Sequence, residues 1–310
     1  MNRVLVLLAT YNGSKYIRQM VDSVLTQDYD DVHLVLSDDG STDNTVEILE
    51  EYARNYPDRV IHYRSGLRFG NAQNHFMHLL QRFHNAPYIM FCDQDDIWHS
   101  DKIRKTMDKM LQTETSPEIP SLVHTDLNVV DAQCNCIHPS FTRFSGISGD
   151  RLTTKALLVQ NVVTGCTMML NQKLAVLAAE NLPVGHIAMH DWWIALLAAT
   201  CGTISYLDES TIDYRQHENN SVGAKNAHSL AQILSKLRNN KIQMRMQKSF
   251  CQAEAFAACF GEILPPEEAA LIHAYSKLKE ANWLQRKFAY MKYGFWMDGF
   301  LKQLGQFLLG

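Results

Sequence analysis

The 310 residues predict an α/β fold, a mixed, mainly parallel central sheet flanked by helices, with a helical extension behind it. Three observations carry this. Up to about Cys92, short apolar runs alternate with amphipathic stretches, the pattern of strand-helix-strand units on a parallel sheet. The chain is 46% hydrophobic and 20% charged, enough to bury a full core at this length. From Asn226 onward strand alternation stops and the spacing is helical, which sets the domains at 1–225 and 226–310.

Val4 to Leu8 is the first buried strand, too short for a signal-peptide core with a cleavage site or for a membrane span. Tyr16, Ile17, Met20, Val21, Val24 and Leu25 repeat at helical spacing behind Ser14, a capping type. His33 to Ser37 makes a second strand. Ser41, Thr42 and Asp43 suit the start of a helix whose apolar face is Val46, Leu49, Tyr52 and Ala53, and Pro57 closes it. Val60 to Tyr63, Ala72 to Phe83 and Tyr88 to Cys92 continue as strand, helix and strand.

Beyond Asp93 the spacing predicts a helix from Ser100 to Leu111, a strand pair near Leu122 to Val130, and a loop from Asp131 to Asp150, a candidate acceptor region. Val162 to Leu170 reads as a strand, Asp191 to Thr200 as a helix, and Thr203 to Leu207 as a short strand. The extension reads as helices Leu230 to Met246, Phe250 to Ile263, broken by Pro265-Pro266, and Glu267 to Asn282. Its end, from Trp283, mixes Arg286, Lys287, Lys292 and Lys302 with many aromatic and aliphatic residues, and Asp298 is its only acid. That composition suits a peripheral membrane contact, and equally packing on the domain or in a homodimer.

A net charge of −4 and a pI near 6.3 exclude a general nucleic-acid binder, so any anionic ligand must be held locally. The seven cysteines include no Cys-x-x-Cys pair, and Cys134 with Cys136 is too close and too isolated for structural zinc. They read as buried or free thiols in a reducing cytoplasm.

Open parallel sheets bind ligands at the carboxyl ends of their strands, and three acidic clusters fall there: Ser37 to Asp43, Asp93-Gln94-Asp95-Asp96, and His190-Asp191. The first is equally what a turn and helix cap would use. In the second, three carboxylates after a buried strand repel one another unless a proton or a cation offsets them. Mg²⁺ or Mn²⁺, held by one or two carboxylates and bridging a diphosphate, would let an acidic protein bind an anion.

Ala9-Thr10-Tyr11-Asn12-Gly13, Asp39-Gly40-Ser41-Thr42-Asp43 and Asp93-Gln94-Asp95-Asp96-Ile97-Trp98 resemble the ordered signatures of family 2 glycosyltransferases. Further on, Thr164 to Met169, His190-Asp191-Trp192-Trp193, Tyr214-Arg215-Gln216-His217 and Ser221 to Ala224 are similar, more narrowly, to bacterial rhamnosyltransferases of cell-wall rhamnose polysaccharides. The resemblance implies a GT-A fold with Thr10, Tyr11 and Asn12 at the nucleotide and Asp39 accepting from a pyrimidine N–H. It places Asp93 and Asp95 near the diphosphate, with Asp95 a ligand of Mn²⁺ or Mg²⁺ and His217 a further metal or diphosphate contact. Asp191 becomes the catalytic base, a role compatible with capping a helix, because a capping carboxylate stays ionised.

Arg68, Gly70 and Asn74 lie where the family places donor contacts. Asp96, Trp98, Gly165 and Trp192 are further candidates for donor or acceptor contacts. For Trp98 and Lys102 the plain alternatives are a packed aromatic and a solvated helix face. The implied reaction is a single inverting displacement, with rhamnose from dTDP-rhamnose passing to a hydroxyl of a saccharide or lipid-linked acceptor. A retaining route would need a second nucleophilic carboxylate, and the sequence singles out none. The expected location is the cytoplasm, peripheral on the inner membrane face. Two readings compete: a catalytically silent binding or scaffold subunit, against which Asp95 and Asp191 weigh, and a sugar-nucleotide nucleotidyltransferase. The latter usually carries a Gly-rich phosphate loop, which Ala9 to Gly13 is not.

Overall fold

The computed structural model describes residues 2–181, 187–217 and 241–309. Its first half follows the predicted rhythm: β1 (Val4–Thr10), α1 (Ile17–Leu25), β2 (Val32–Asp38), α2 (Thr45–Asn55), β3 (Val60–His62), α3 (Ala72–Phe83) and β4 (Tyr88–Cys92). Successive side chains of β1 face opposite ways, so Val4, Val6 and Leu8 join one core with α1, α2 and α4 (Lys102–Thr113), while Leu5 and Leu7 join another. The capping residues are not the expected ones: the N-cap of α1 is Tyr16 and that of α2 is Asn44, with Asp43 Oδ1 just before it accepting from Thr45 N at 3.1 Å.

The remaining strands are β5 (Ile97–Trp98), β6 (Ser121–Val130), β7 (Cys136–His138), β8 (Met168–Asn171) and β9 (Thr203–Arg215). The sheet runs β3-β2-β1-β4-β8-β6-β9-β5, with β7 beside β6. β1 pairs in parallel with both β2 and β4, whereas β4-β8, β8-β6 and β5-β9 are antiparallel. The sequence order therefore reverses at β1, and the carboxyl ends of β1, β2 and β4 flank that reversal, the usual ligand position in such sheets.

Several expectations change here. Leu122 to Val130 is one long strand, not a pair. Asp126 does not break it, because its buried carboxylate accepts from Ser140, Phe141 and Thr142 across the following loop. That loop, expected to be structureless from Asp131 to Asp150, holds β7 and the short helix α5 (Phe141–Phe144). Of the strand expected from Val162 to Leu170, only Met168 to Leu170 is strand, the start of β8; an irregular stretch and a 3₁₀ turn (Gly165–Thr167) precede it, since Asn161 bonds both N–H and C=O of Val163 and bends the chain. The strand at Thr203 runs on to Arg215, along β6. Two helices went unread: α6 (Thr154–Val159), capped by Thr153, and α7 (Gln172–Glu180), capped by Asn171.

α8 (His190–Cys201) is apolar nearly all round and is buried accordingly, with only its first turn reaching the ligand edge. Behind it, α9 (Lys241–Phe260) runs unbroken through the gap expected between Met246 and Phe250. Trp193 of α8 meets Phe256 and Phe260 of α9 at 5.2 and 5.7 Å between ring centroids, so the extension shares a core with the sheet domain. Each large apolar side chain buried there is worth about 1.5–3 kcal/mol. α10 (Pro266–Ser276), α11 (Trp283–Tyr293) and α12 (Phe300–Leu309) complete the chain. The Ser221 to Ala224 motif, the 225/226 boundary and the start of the expected Leu230 helix lie outside the described residues.

Candidate active site

The carboxyl ends of β1, β2 and β4 are laced together. Asn12, at φ +49°, accepts from Thr42 N through its side chain, and its own N–H donates to Ser41 Oγ at 2.7 Å. The Gln94 amide grips the Tyr11 peptide unit, accepting its N–H at 2.9 Å and donating to its C=O at 3.1 Å. A Cβ at Gly13 would come within 2.3 Å of Gln94 Oε1 and displace the amide that holds Tyr11. Thr10 is buried and gives its hydroxyl to Asp38, which also accepts from Gly40 and Ser41. Asp38 and Asp43 thus hold the turns before α1 and α2, Asp43 accepting from Ser14 N and Thr45 N, which is the turn role the bland reading of that cluster has. Tyr11 remains 54% exposed on the ligand side.

Asp39 points elsewhere. Its two oxygens accept from the N–H groups of Phe69 and Gly70, which folds the loop before α3 over the strand ends. A carboxylate has about four lone-pair sites, so acceptance from a base N–H remains open to it. Arg68 lies across Gly40, reaching its C=O at 3.4 Å, and Asn74 is exposed in the first turn of α3.

Across the reversal, Asp95 and His217 meet, Oδ2 to Nε2, at 2.7 Å. They come from chain segments 122 residues apart, brought together by the end of β9. Buried Arg215 holds them there: its N–H donates to Asp96 Oδ1 at 3.1 Å and its Nε to the Asp95 C=O at 2.9 Å. The Tyr16 ring lies 4.4 Å from this guanidinium and stacks on His217 at 5.2 Å. The pair fits a small divalent ion: two ligand atoms at right angles, each about 2.1 Å from the metal, sit about 3 Å apart. The carboxylate suits Mn²⁺ or Mg²⁺, and a neutral imidazole is a common ligand of first-row divalent metals. A second cluster, Asp93, Asp96 and Cys166, gathers within 4.8 Å. It fits an ion less well, because burial and the adjacent Asp96 and Asp93 push the Cys166 thiol well up, and a protonated thiol is a poor ligand.

Asp93 and Asp191 each keep an open edge while protein surrounds the rest of the carboxyl group. Burial, then Asp95 and Asp191 nearby, raises Asp93 to about 7. Burial likewise raises Asp191 to about 7, against N–H donors from Trp192, Gly165 and the Asn161 side chain, the last at 3.0 Å. A base is best placed near its working pH, and this one starts α8, where the helix dipole favours its ionised form. His190 beside it is kept neutral, lowered to about 3 by burial.

Three candidate contacts are corrected. Asp96 is wholly buried and held well above the carboxylate range by burial and by Asp95 and Asp93. It anchors Arg215 rather than facing a ligand. Trp98 is 3% exposed, with buried Lys102 Nζ 4.7 Å from its ring, so it is a packed aromatic with no face for a sugar. Lys102 is not on a solvated face either. Trp192 is buried and gives its indole N–H to the Leu157 C=O. Gly165 serves the base itself, since its N–H bonds Asp191 and a Cβ there would lie 2.7 Å from His190 Nε2. Gln94 and Arg215 sat inside quoted motifs without a role, while Asn161 carried no sequence signal.

The model of glycosyl transferase family 2 matches residues 5–174, which include the carboxyl ends of β1, β2 and β4. The chain belongs to this family. It is 31% identical over 225 residues to dTDP-rhamnosyl transferase RfbG of Shigella flexneri, a match spanning 70% of this chain and 74% of that protein. YibD of Escherichia coli K12, an uncharacterized glycosyltransferase, is 29% identical over 51% of this chain and 41% of its own. Among solved structures, S. aureus TarS 1–349 in complex with UDP superposes with a TM-score of 0.55 at 16% identity, covering 95% of this chain and 92% of that one. The mannosyltransferase PcManGT of Pyrobaculum calidifontis, in complex with GDP-Man and Mn²⁺, gives 0.55 at 18% identity, covering 93% and 73%. This is the GT-A fold, and the protein is a glycosyltransferase.

Proposed function

We propose that the enzyme transfers rhamnose from dTDP-rhamnose, with inversion and with a divalent cation, to a hydroxyl of a saccharide or lipid-linked acceptor. The observation that carries the metal-dependent reading is the Asp95–His217 pair at 2.7 Å. The sugar rests on the 31% identity to the Shigella protein, whose name states that donor. Asp191, held by Asn161, Gly165 and Trp192, supports an inverting route with one base.

In this reading Tyr11, Asn12 and Asp39 receive the nucleotide, with Arg68 and Asn74 at the edge of the donor site. The acceptor oxygen attacks the anomeric carbon as its proton passes to the Asp191 carboxylate, and the bond from that carbon to the diphosphate oxygen breaks. A bound Mn²⁺ or Mg²⁺ would supply the positive charge that offsets the departing diphosphate. The oxygen leaves with both electrons of the broken bond, so one displacement inverts the centre and no covalent enzyme intermediate forms.

Calorimetric titration of dTDP-rhamnose, UDP-glucose, UDP-galactose and GDP-mannose, each with and without Mn²⁺, tests this. Metal-dependent preference for dTDP-rhamnose is expected, and Asp95→Ala should remove the dependence on metal. Preference for another donor discards rhamnose, and binding indifferent to Mn²⁺ discards the Asp95–His217 site. No binding of any donor moves a silent scaffold subunit to the front.

A further inference from the structure

The loop that supplies the partners of Asp39 is seated by one aromatic ring. Between β3 and α3 the chain turns at Gly66 and Gly70, at φ +71° and +73°, and nothing lies within 4 Å of the place a Cβ would take at either. Glycine at both turns leaves the backbone little resistance of its own to moving. Leu67 and Arg68 are exposed, and the Arg68 bond to the Gly40 C=O, at 3.4 Å, is long. Phe69 is turned inward. Its ring lies flat on His75, with centroids 4.6 Å apart and planes 14° apart, and leans on His78 at 4.8 Å. The amides this ring carries are the ones Asp39 accepts from, Phe69 N–H and Gly70 N–H, the latter at 2.8 Å.

The seat is itself fixed. His75 lies in the first turn of α3, which Asn71 caps by accepting from Asn74 N at 2.8 Å. Its Nε2 is 2.8 Å from Ser37 Oγ in β2, two residues before Asp39. Burial lowers His75 to about 4, against the opposing effect of Asp39 and Asp38, so the imidazole stays neutral near pH 7. His78 is braced by Tyr63, whose hydroxyl lies 3.1 Å from its Nε2. Strand end, helix start and loop thus close a circuit: Ser37 to His75, His75 to the Phe69 ring, and the Phe69 amide back to the Asp39 carboxylate.

We propose that Phe69, seated on His75, is a positioning residue for donor recognition: it holds two loop amides on the Asp39 carboxylate, so that the remaining lone pairs meet the N–H of a pyrimidine base. The inference rests on the reading that Asp39 accepts from that N–H.

The test is calorimetric titration of the full chain, with Mn²⁺ present, using dTDP and its N3-methyl analogue, which lacks the base N–H. Wild type should prefer dTDP by at least about tenfold, the order expected of a hydrogen bond to a charged group. In Phe69→Ala and His75→Ala the preference should fall to about twofold, whereas Phe69→Tyr, which keeps the ring, should retain it. Asp39→Ala should lose it too, which separates the missing hydrogen bond from crowding by the added methyl. In transfer assays Phe69→Ala should raise donor KM about tenfold with kcat held, while a damaged fold would lower kcat instead. Full preference in Phe69→Ala, or a fall in kcat with donor KM unchanged, overturns the proposal and leaves the Asp39 contact standing. Equal wild-type affinity for the two nucleotides, or a preference that survives Asp39→Ala, removes that contact and the proposal with it.

Discussion

Asp191→Asn keeps the shape of the side chain and removes its charge, so it separates two consequences of the same environment. With the native carboxyl raised to about 7 and an unfolded carboxyl near 3.9, the folded chain keeps a proton that the unfolded chain has already released. The unfolded state therefore binds fewer protons between pH 4 and 7, and wild-type stability falls as pH rises through that window, levelling above it. The asparagine variant does not titrate and escapes this loss. From pH 5 to pH 8 its stability should rise against wild type by about 2–3 kcal/mol, at 1.36 kcal/mol per unit. Asp93 loses a like-charged neighbour over the same range and adds in the same direction.

The difference between two pH values is the quantity to measure, because it cancels a constant cost. Three N–H donors surround the carboxylate, and an amide offers them a single oxygen, leaving one worse served by about 1–3 kcal/mol at any pH. Thermal unfolding of both proteins at pH 5 and pH 8, without divalent cations, should show the variant gaining about 4–6 °C between them, at roughly 2 °C per kcal/mol for a chain this size. Transfer should meanwhile fall about 10²–10⁴-fold, with donor affinity kept. A stability difference flat in pH would refute the buried-carboxylate argument, and near wild-type turnover would remove Asp191 as the base.

Asn161→Ala removes a donor that favours the ionised base, so the acid limb of kcat/KM should move to higher pH and kcat should fall about tenfold, with donor KM unchanged. An unmoved profile would reduce Asn161 to a loop-shaping residue. Trp98→Phe should cost about 1–3 kcal/mol of stability and leave donor KM alone, since the indole N–H has no hydrogen-bond partner and the ring packs on Lys102. A clear rise in donor KM would return Trp98 to the sugar site.

Elements with a strong local period were legible, and sites that depend on distant pairing were legible only in part. Ala72 to Phe83 and Tyr88 to Cys92 were read to the residue because their own apolar spacing decides them. Val162 to Leu170 looked like a strand for the same reason, yet Asn161 turns the chain there and carries Gly165 to the base. The acidic motif after β4 flagged the right neighbourhood without sorting its members. Three aspartates within four residues take opposite fates, because β5 turns inward immediately afterwards to pair with β9. Asp95 stays at the ligand edge against His217, whereas Asp96 is drawn beneath it onto the Arg215 N–H. That sorting is made by a strand more than a hundred residues away, and no window along the sequence contains both partners. Trp98 fails as a sugar platform for the same reason: its own residue type suits stacking, but the pairing of β5 with β9 buries the ring.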